Sequence, residues 1–536
     1  MTITRVHHAA ITAAAVFAAM LAISGALRAV VPEPVKTDAG LLSGAPAAAP
    51  GVRVFKGIPF AAPPVGELRW RPPQPAAHWT GIRKADTFGH VCVQPKGVGR
   101  LNVSVDLPDS PAASEDCLYL NVWTAARSAS ERRPVMVWIF GGAYTEGAGS
   151  SPHNNGEELA RKGAVVVTFN YRLGAFGFFS HPELAKESGH NASGNQALMD
   201  AIAALEWVQR SIAAFGGDPG NVTIFGESAG AAISAGLVGS PRAANLFRRA
   251  ISESGAWMGL GIAAMRTARQ AEQPAGRRGA PTPPLLPLGE LRAKSSDEIA
   301  QMLFGAGMIV DGWIIPEDES LIFAQGRQQP VDVLAGSNKD EGTFAGNTTA
   351  AMWTSRVRQR WSDLGDEYLK LYPAGSDEEA TRSAQMAFRD EMAWHMRLYA
   401  SLQSKRGKHA YWYFFTHEPP YAADARNLKA AHTVEIPYVF ANLAAPRVFP
   451  DASSPDLASA SPRERALAER MSAYWLNFAR TGDPNGVGLP RWPRWTTSSD
   501  ARTAPMVIGE INEVPDPPRL AMYDKLYAKI LAGLRD

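Results

Sequence analysis

The sequence predicts an α/β fold with a large, mostly parallel central sheet flanked by helices, and three observations point there. Residues 134–142, 164–169, 221–225 and 331–335 are short, β-rich, nearly continuous apolar runs, the pattern of strands buried on both faces. Residues 195–214 lie among them and carry Leu198, Ile202, Leu205, Val208 and Ile212 at helical spacing. Strands alternating with helices imply parallel pairing with covered faces. The length of 536 residues suggests about three domains, but a large α/β sheet with long excursions often exceeds that prior as one unit.

Composition excludes several classes. Hydrophobic residues make up 46% and charged residues 20%, which rules out a disordered chain. Lys+Arg 54 against Asp+Glu 52 leaves +2, with no footprint for nucleic acid or a polybasic membrane surface. Gly 48 and Pro 40 follow no period, so collagen-like and low-complexity readings fail; they signal many turns.

Taken in order, the chain begins with a leader pattern. Arg5 is the only formal charge in the first 27 residues, an apolar stretch runs over 9–27, and Ser24-Gly25-Ala26 is a small-x-small cleavage candidate. Residues 1–26 therefore read as a signal peptide and the product as secreted or periplasmic, with no stable membrane span after cleavage. Removing Arg5 lowers the net charge to +1. Cys92 and Cys117 are the only cysteines, and an even count in an exported protein reads as one disulfide, worth about 3–4 kcal/mol by loop closure. Two cysteines alone make no zinc site, and there is no HExxH, so no metal is expected. Residues 273–296 hold five prolines and Gly276-Arg277-Arg278-Gly279, and read as an exposed excursion.

Gly226-Glu227-Ser228-Ala229-Gly230 matches G-x-S-x-G. A β-rich run precedes it and an Ala-rich helical stretch, residues 231–237, follows it, which is the strand–turn–helix setting of a nucleophilic serine. The glycines fit a strained turn pressed against its neighbours, and the helix N-terminus favours a developing oxyanion. Acyl transfer also needs backbone N–H donors: one from Ala229, the others from a Gly-rich turn after an earlier strand. Phe140-Gly141-Gly142-Ala143-Tyr144 is that turn. The acid should come next, just past a core strand, where residues 336–342 offer Asp340 and Glu341 without a choice between them. The base follows among His395, His409, His417 and His432, of which His417 and His432 fall in loops.

These motifs resemble the type-B carboxylesterase/cholinesterase family of α/β-hydrolases, and its bacterial para-nitrobenzyl esterases in particular. The resemblance rests on Phe55-Lys-Gly-Ile-Pro-Phe60, Pro63-Pro-Val-Gly-Glu-Leu-Arg69, Glu115-Asp-Cys-Leu-Tyr-Leu-Asn-Val-Trp123 and Asn170-Tyr-Arg-Leu-Gly174. It rests further on Gly194-Asn195, the whole segment 215–230 and Asn477-Phe-Ala-Arg-Thr-Gly-Asp-Pro-Asn485. It implies one α/β-hydrolase domain over residues 27–536, with long excursions that form an active-site gorge. It selects Glu341 as the acid and His432 as the base, and assigns the oxyanion donors to Gly142, Ala143 and Ala229. It pairs Cys92 with Cys117 and places Glu227, Ser254 and Glu435 near the triad. The implied reaction is hydrolysis of a small-molecule carboxylic ester through an acyl-enzyme on Ser228, with no cofactor and with activity rising as His432 becomes a neutral base.

Departures from the family pattern narrow the expectation. No tryptophan lies between Cys92 and Cys117, which argues against specific acetylcholine hydrolysis. Residues 259–310 follow the family weakly, and Trp257 and Met258 suit either the pocket or the core. The same triad would also serve amides, carbamates or bulky and lipidic esters, and the family includes non-catalytic binding proteins. The sequence leaves the oligomeric state open. Asn102, Asn191, Asn221 and Asn347 sit in N-x-[ST] sites, and Asn221 leads into the nucleophile strand.

Overall fold

The computed structural model describes residues 31–94, 111–258, 265–273, 285–302, 307–344, 346–421, 426–445, 455–457, 460–497, 504–510 and 512–533. The leader at residues 1–26 and Asn102 lie outside them.

Ten of the described strands form the main sheet. They are β1 Ala45–Pro46, β2 Arg53–Pro59, β3 Tyr119–Thr124, β4 Arg133–Ile139 and β5 Val165–Phe169. Then come β6 Gly217–Glu227, β7 Arg249–Glu253, β8 Asp332–Asn338, β9 Ala410–Phe415 and β10 Met506–Ile508. Their order across the sheet is β10-β9-β8-β7-β6-β4-β5-β3-β2-β1. Strands β4 to β10 pair in parallel, and β3, β2 and β1 add antiparallel pairs at one edge. Every residue of β5, and all of β4 but Arg133, is buried, which is why these strands read as unbroken apolar runs.

The longer helices include α1 Gln196–Ser211, α2 Ala229–Gly239, α3 Asp377–Lys405, α4 Pro462–Thr481 and α5 Pro517–Gly533. Serine caps open two of them: Ser376 accepts from the Glu379 N–H, and Ser461 from the Glu464 N–H. Helix α2 is buried along its whole length, so its Ala- and Gly-rich sequence reflects close packing rather than an amphipathic face. Trp138, Trp207, Trp394, Trp475 and Trp492 are fully buried in the core.

The order of the strands positions the site. From β4 the chain crosses to β5 on one side and later returns to β6 on the other, with Val135 opposite both Val165 and Val222. Such a reversal opens a crevice at the carboxyl ends of the strands on either side of it. The expected turn 140–144 and the expected serine elbow end β4 and β6, so both open onto that crevice.

Several motif residues are structural ties. Arg172 grips the Asp200 carboxylate with two hydrogen bonds of 2.8 and 2.7 Å, both side chains buried, and joins the end of β5 to α1. Asn170 donates to the Cys117 and His90 carbonyls and accepts from the Gly149 N–H. Asn195 exchanges two hydrogen bonds with the Ile309 backbone. The excursion at 273–296 is only partly loop. Residues 274–284 lie outside the described residues, but Leu288–Ala293 is a helix with Leu288 and Leu291 buried against Trp70, Phe176 and Phe179. Arg69 holds it by donating to the Leu291 and Lys294 carbonyls at 3.0 and 2.8 Å. Two leucines three apart after the proline run were the signal for it.

Candidate active site

Ser228 lies between the last residue of β6 and the first of α2, at φ 54° and ψ −122°. A non-glycine residue held there is strained and must be fixed by its surroundings. Its N–H donates to the Glu253 carbonyl at 2.8 Å, and its carbonyl accepts from the Ala232 N–H at 2.9 Å. The flanking glycines are required by contact. A Cβ on Gly226 would stand 2.5 Å from the Ile139 carbonyl oxygen, and one on Gly230 only 1.9 Å from it. The elbow is therefore pressed directly onto β4. Ala229 opens the helix, where an N–H has no partner within the helix and the dipole is positive.

The turn after β4 has three consecutive positive φ values: 110° at Gly142, 50° at Ala143 and 65° at Tyr144. The Gly142 carbonyl accepts from the Thr145 and Glu146 N–H groups at 3.0 and 3.1 Å, which closes the turn. Its far end is clamped by Gln94, which donates to the Gly147 carbonyl at 3.1 Å and accepts from the Gly147 N–H at 2.9 Å. Gln94 stands two residues from Cys92, and Cys92 and Cys117 form the expected disulfide. The bridge thus ties one loop down against the turn.

His432 and Glu341 meet across β8 and β9. The His432 Nδ1 is 2.7 Å from Glu341 Oε2. Glu341 is fully buried, and its other oxygen accepts from the Ser254 hydroxyl at 2.5 Å and the Asn338 N–H at 2.9 Å. These three donors fix the carboxylate. Asp340 turns the other way, to the Lys339 ammonium at 3.2 Å and the Ala430 N–H at 3.1 Å. The other histidines are engaged elsewhere. His417 lies between Glu464 and Glu510, each at 2.9 Å. His395 is buried and accepts from the Met258 N–H at 2.8 Å, and His409 faces the Gly482 carbonyl. Of the open alternatives, the structure joins Glu341 with His432.

A second carboxylate faces the same imidazole. Glu227 Oε1 is 3.1 Å from His432 Nε2, a close ionic contact that lacks hydrogen-bond alignment. Burial alone would lower the His432 pKa, but the charges of Glu227 and then Glu341 push it up to about 10. Burial pushes Glu227 up to about 8 against the pull of His432. Glu435, which accepts from the Asn338 side-chain amide, is pushed up to about 7 by burial and by Glu341. Glu253, bonded by the Trp475 indole N–H at 2.8 Å, is held well above the carboxylate range by burial and by Glu435.

Ser228, His432 and Glu227 share one cleft. Gly141, Gly142, Glu146, Ser151, His153 and Asn154 line it beside the apolar Trp138, Phe140, Ala148 and Ile436. Ala143 and Ala229 are not among the lining residues; each adjoins one of them, Gly142 and Ser228. Of the two residues expected in either pocket or core, Met258 is fully buried in the core and Trp257 packs edge-on against His395 at 5.6 Å. Sequence reasoning missed Glu146, His153, Asn338 and Glu253 as site residues. An acidic residue closing the short strand β7 was a signal for Glu253. For Glu146 and His153, in a polar loop, nothing local stood out.

Comparison with known proteins finds likeness along most of the chain. The family model described as Carboxylesterase family matches residues 32–513. The fumonisin B1 esterase of Sphingopyxis macrogoltabida is 36% identical over 85% of this chain and 84% of its own length. The para-nitrobenzyl esterase of Bacillus subtilis (strain 168) is 34% identical over 87% of this chain and 93% of its own. Among solved structures, the Geobacillus stearothermophilus carboxylesterase EST55 at pH 6.2 superposes with a TM-score of 0.73 at 34% identity, covering 93% of this chain and 99% of that one.

Proposed function

The chain belongs to the carboxylesterase family and is a carboxylic-ester hydrolase with an α/β-hydrolase fold; we propose that it works through a Ser228–His432–Glu341 triad and a covalent acyl-enzyme. The 2.7 Å contact between His432 Nδ1 and Glu341 Oε2, in a cleft shared with the strained Ser228, carries this reading. His432 takes the Ser228 proton at Nε2 as Oγ attacks the ester carbonyl. Glu341 fixes the Nδ1–H tautomer and stabilises the imidazolium. The N–H groups of Gly142, Ala143 and Ala229 receive the negative oxygen of the tetrahedral intermediate. Collapse breaks the C–O bond to the alcohol, which leaves with the proton from His432. Water then gives a proton to His432 and attacks the acyl-enzyme, releasing the acid and restoring Ser228.

Ser228→Ala should cut turnover of a short p-nitrophenyl ester by at least about 10⁴-fold. An organophosphate should add its phosphoryl group to the peptide that contains Ser228, read by mass spectrometry. Retained turnover in the variant, or a stoichiometric adduct on another residue, would overturn the assignment.

A further inference from the structure

Glu146 stands just past the turn that closes β4. It is only 7% exposed, yet it lines the cleft together with Ser228 and His432. Its side chain lies against the turn itself, since a Cβ on Gly142 would come 3.2 Å from Glu146 Cγ. Among the described residues no cation, hydroxyl or N–H is bonded to its carboxyl, and burial alone pushes that carboxyl up to about 7. Its carboxyl oxygens are not among the fully buried side-chain atoms that lack a partner, so they remain reachable from the cleft. Glu227 lines the same cleft, and the lining contains neither lysine nor arginine.

We propose that Glu146 forms a subsite for a protonated amine on the ester substrate, one that brings N–H donors to the carboxylate. The inference rests on the ester-hydrolase reading and adds a substrate class to it. The two aromatic side chains of the cleft are already engaged. Trp138 packs against Phe225 and Phe440, at 4.8 and 5.0 Å, and Phe140 stacks on Tyr171 at 4.3 Å. A quaternary ammonium, which lacks N–H and depends on an open aromatic face, is poorly served. A primary, secondary or tertiary ammonium instead makes a charge-assisted hydrogen bond to Glu146.

Three butyrate esters of matched shape test this at a pH where the amine is protonated: 2-(dimethylamino)ethyl, its neutral isostere 3-methylbutyl, and choline. In the wild type, kcat/KM for the amine ester should exceed that for the 3-methylbutyl ester by about tenfold, the choline ester falling with the neutral one. Glu146→Gln, which keeps the shape, should bring the amine-to-neutral ratio close to one, and Glu146→Ala should do the same. A ratio unchanged by either substitution, or a wild type without preference for the amine, would overturn the proposal. A binding arm separates it from the triad reading. In Ser228→Ala protein the Kd of the amine ester should rise about tenfold when Glu146→Gln is added, and an unchanged Kd refutes the subsite. Turnover that survives Ser228→Ala refutes the triad instead, and the Kd arm still reads Glu146.

Discussion

His432 has a carboxylate at each ring nitrogen, Glu341 at Nδ1 and Glu227 at Nε2. Both favour the imidazolium, so its pKa lies above the ordinary value. The base must be neutral to accept the serine proton, so kcat/KM should rise with pH as His432 loses its own. Glu227→Gln removes one of the two charges and lowers the His432 pKa. The midpoint of the rising limb should therefore move to lower pH, by about one unit or more. A kcat/KM profile from neutral to alkaline pH checks it, and an unmoved midpoint would show that Glu227 does not set the protonation of His432. Glu341 differs from Glu227 because Ser254 and Asn338 donate to it as well, which fixes its position along with its charge.

At the scale of elements, the site depends on how closely α2 approaches β4. Gly230 sits in the first turn of α2, and a Cβ there would overlap the Ile139 carbonyl oxygen at 1.9 Å. That oxygen is backbone, so it yields only if β4 or the elbow shifts. Gly230→Ala should cost about 1–3 kcal/mol of stability and displace Ser228, cutting kcat/KM by about a hundredfold. Gly289, in the helix Leu288–Ala293, has open space where a Cβ would go. Gly289→Ala should leave kcat/KM alone and stabilise by up to about 1 kcal/mol. Urea unfolding with ester turnover on both variants reads the contrast. Equal effects would mean that the alanine acts through helix propensity and not through the contact with β4.

Across the whole molecule, the disulfide links the site to the rest of the chain. Cys92 and Cys117 are 25 residues apart, and Gln94 just beyond Cys92 clamps Gly147. Replacing both cysteines by serine should lower unfolding stability by about 3 kcal/mol through loop closure. It should also raise KM, because the clamp on the turn beside Glu146 loses its anchor. Denaturant unfolding and steady-state kinetics on the double variant test both parts. An unchanged unfolding midpoint would mean that the loop is held by other contacts.

Much of this was legible in the chain order. The apolar runs marked β4, β5, β6 and β8, because a strand buried on both faces has no polar side to interrupt it. Gly226, Ser228 and Gly230 were legible because a strained elbow tolerates few residue types. The resemblance settled Glu341 over Asp340 and His432 over His417, which local pattern alone had left open. The helix Leu288–Ala293 was missed because its buried side is two leucines whose partners, Trp70, Phe176 and Phe179, are far away in sequence. The amino-acid sequence by itself determined the α/β architecture and the strand–turn–helix setting of Ser228, since periodicity and turn residues act over neighbouring positions. Only the tertiary structure decided which carboxylates surround His432, that Asp340 turns away, and that Glu146 lines the cleft without a donor. Charge acts through space, and these groups come together only when β4, β6, β7, β8 and the 432–439 segment pack around one crevice.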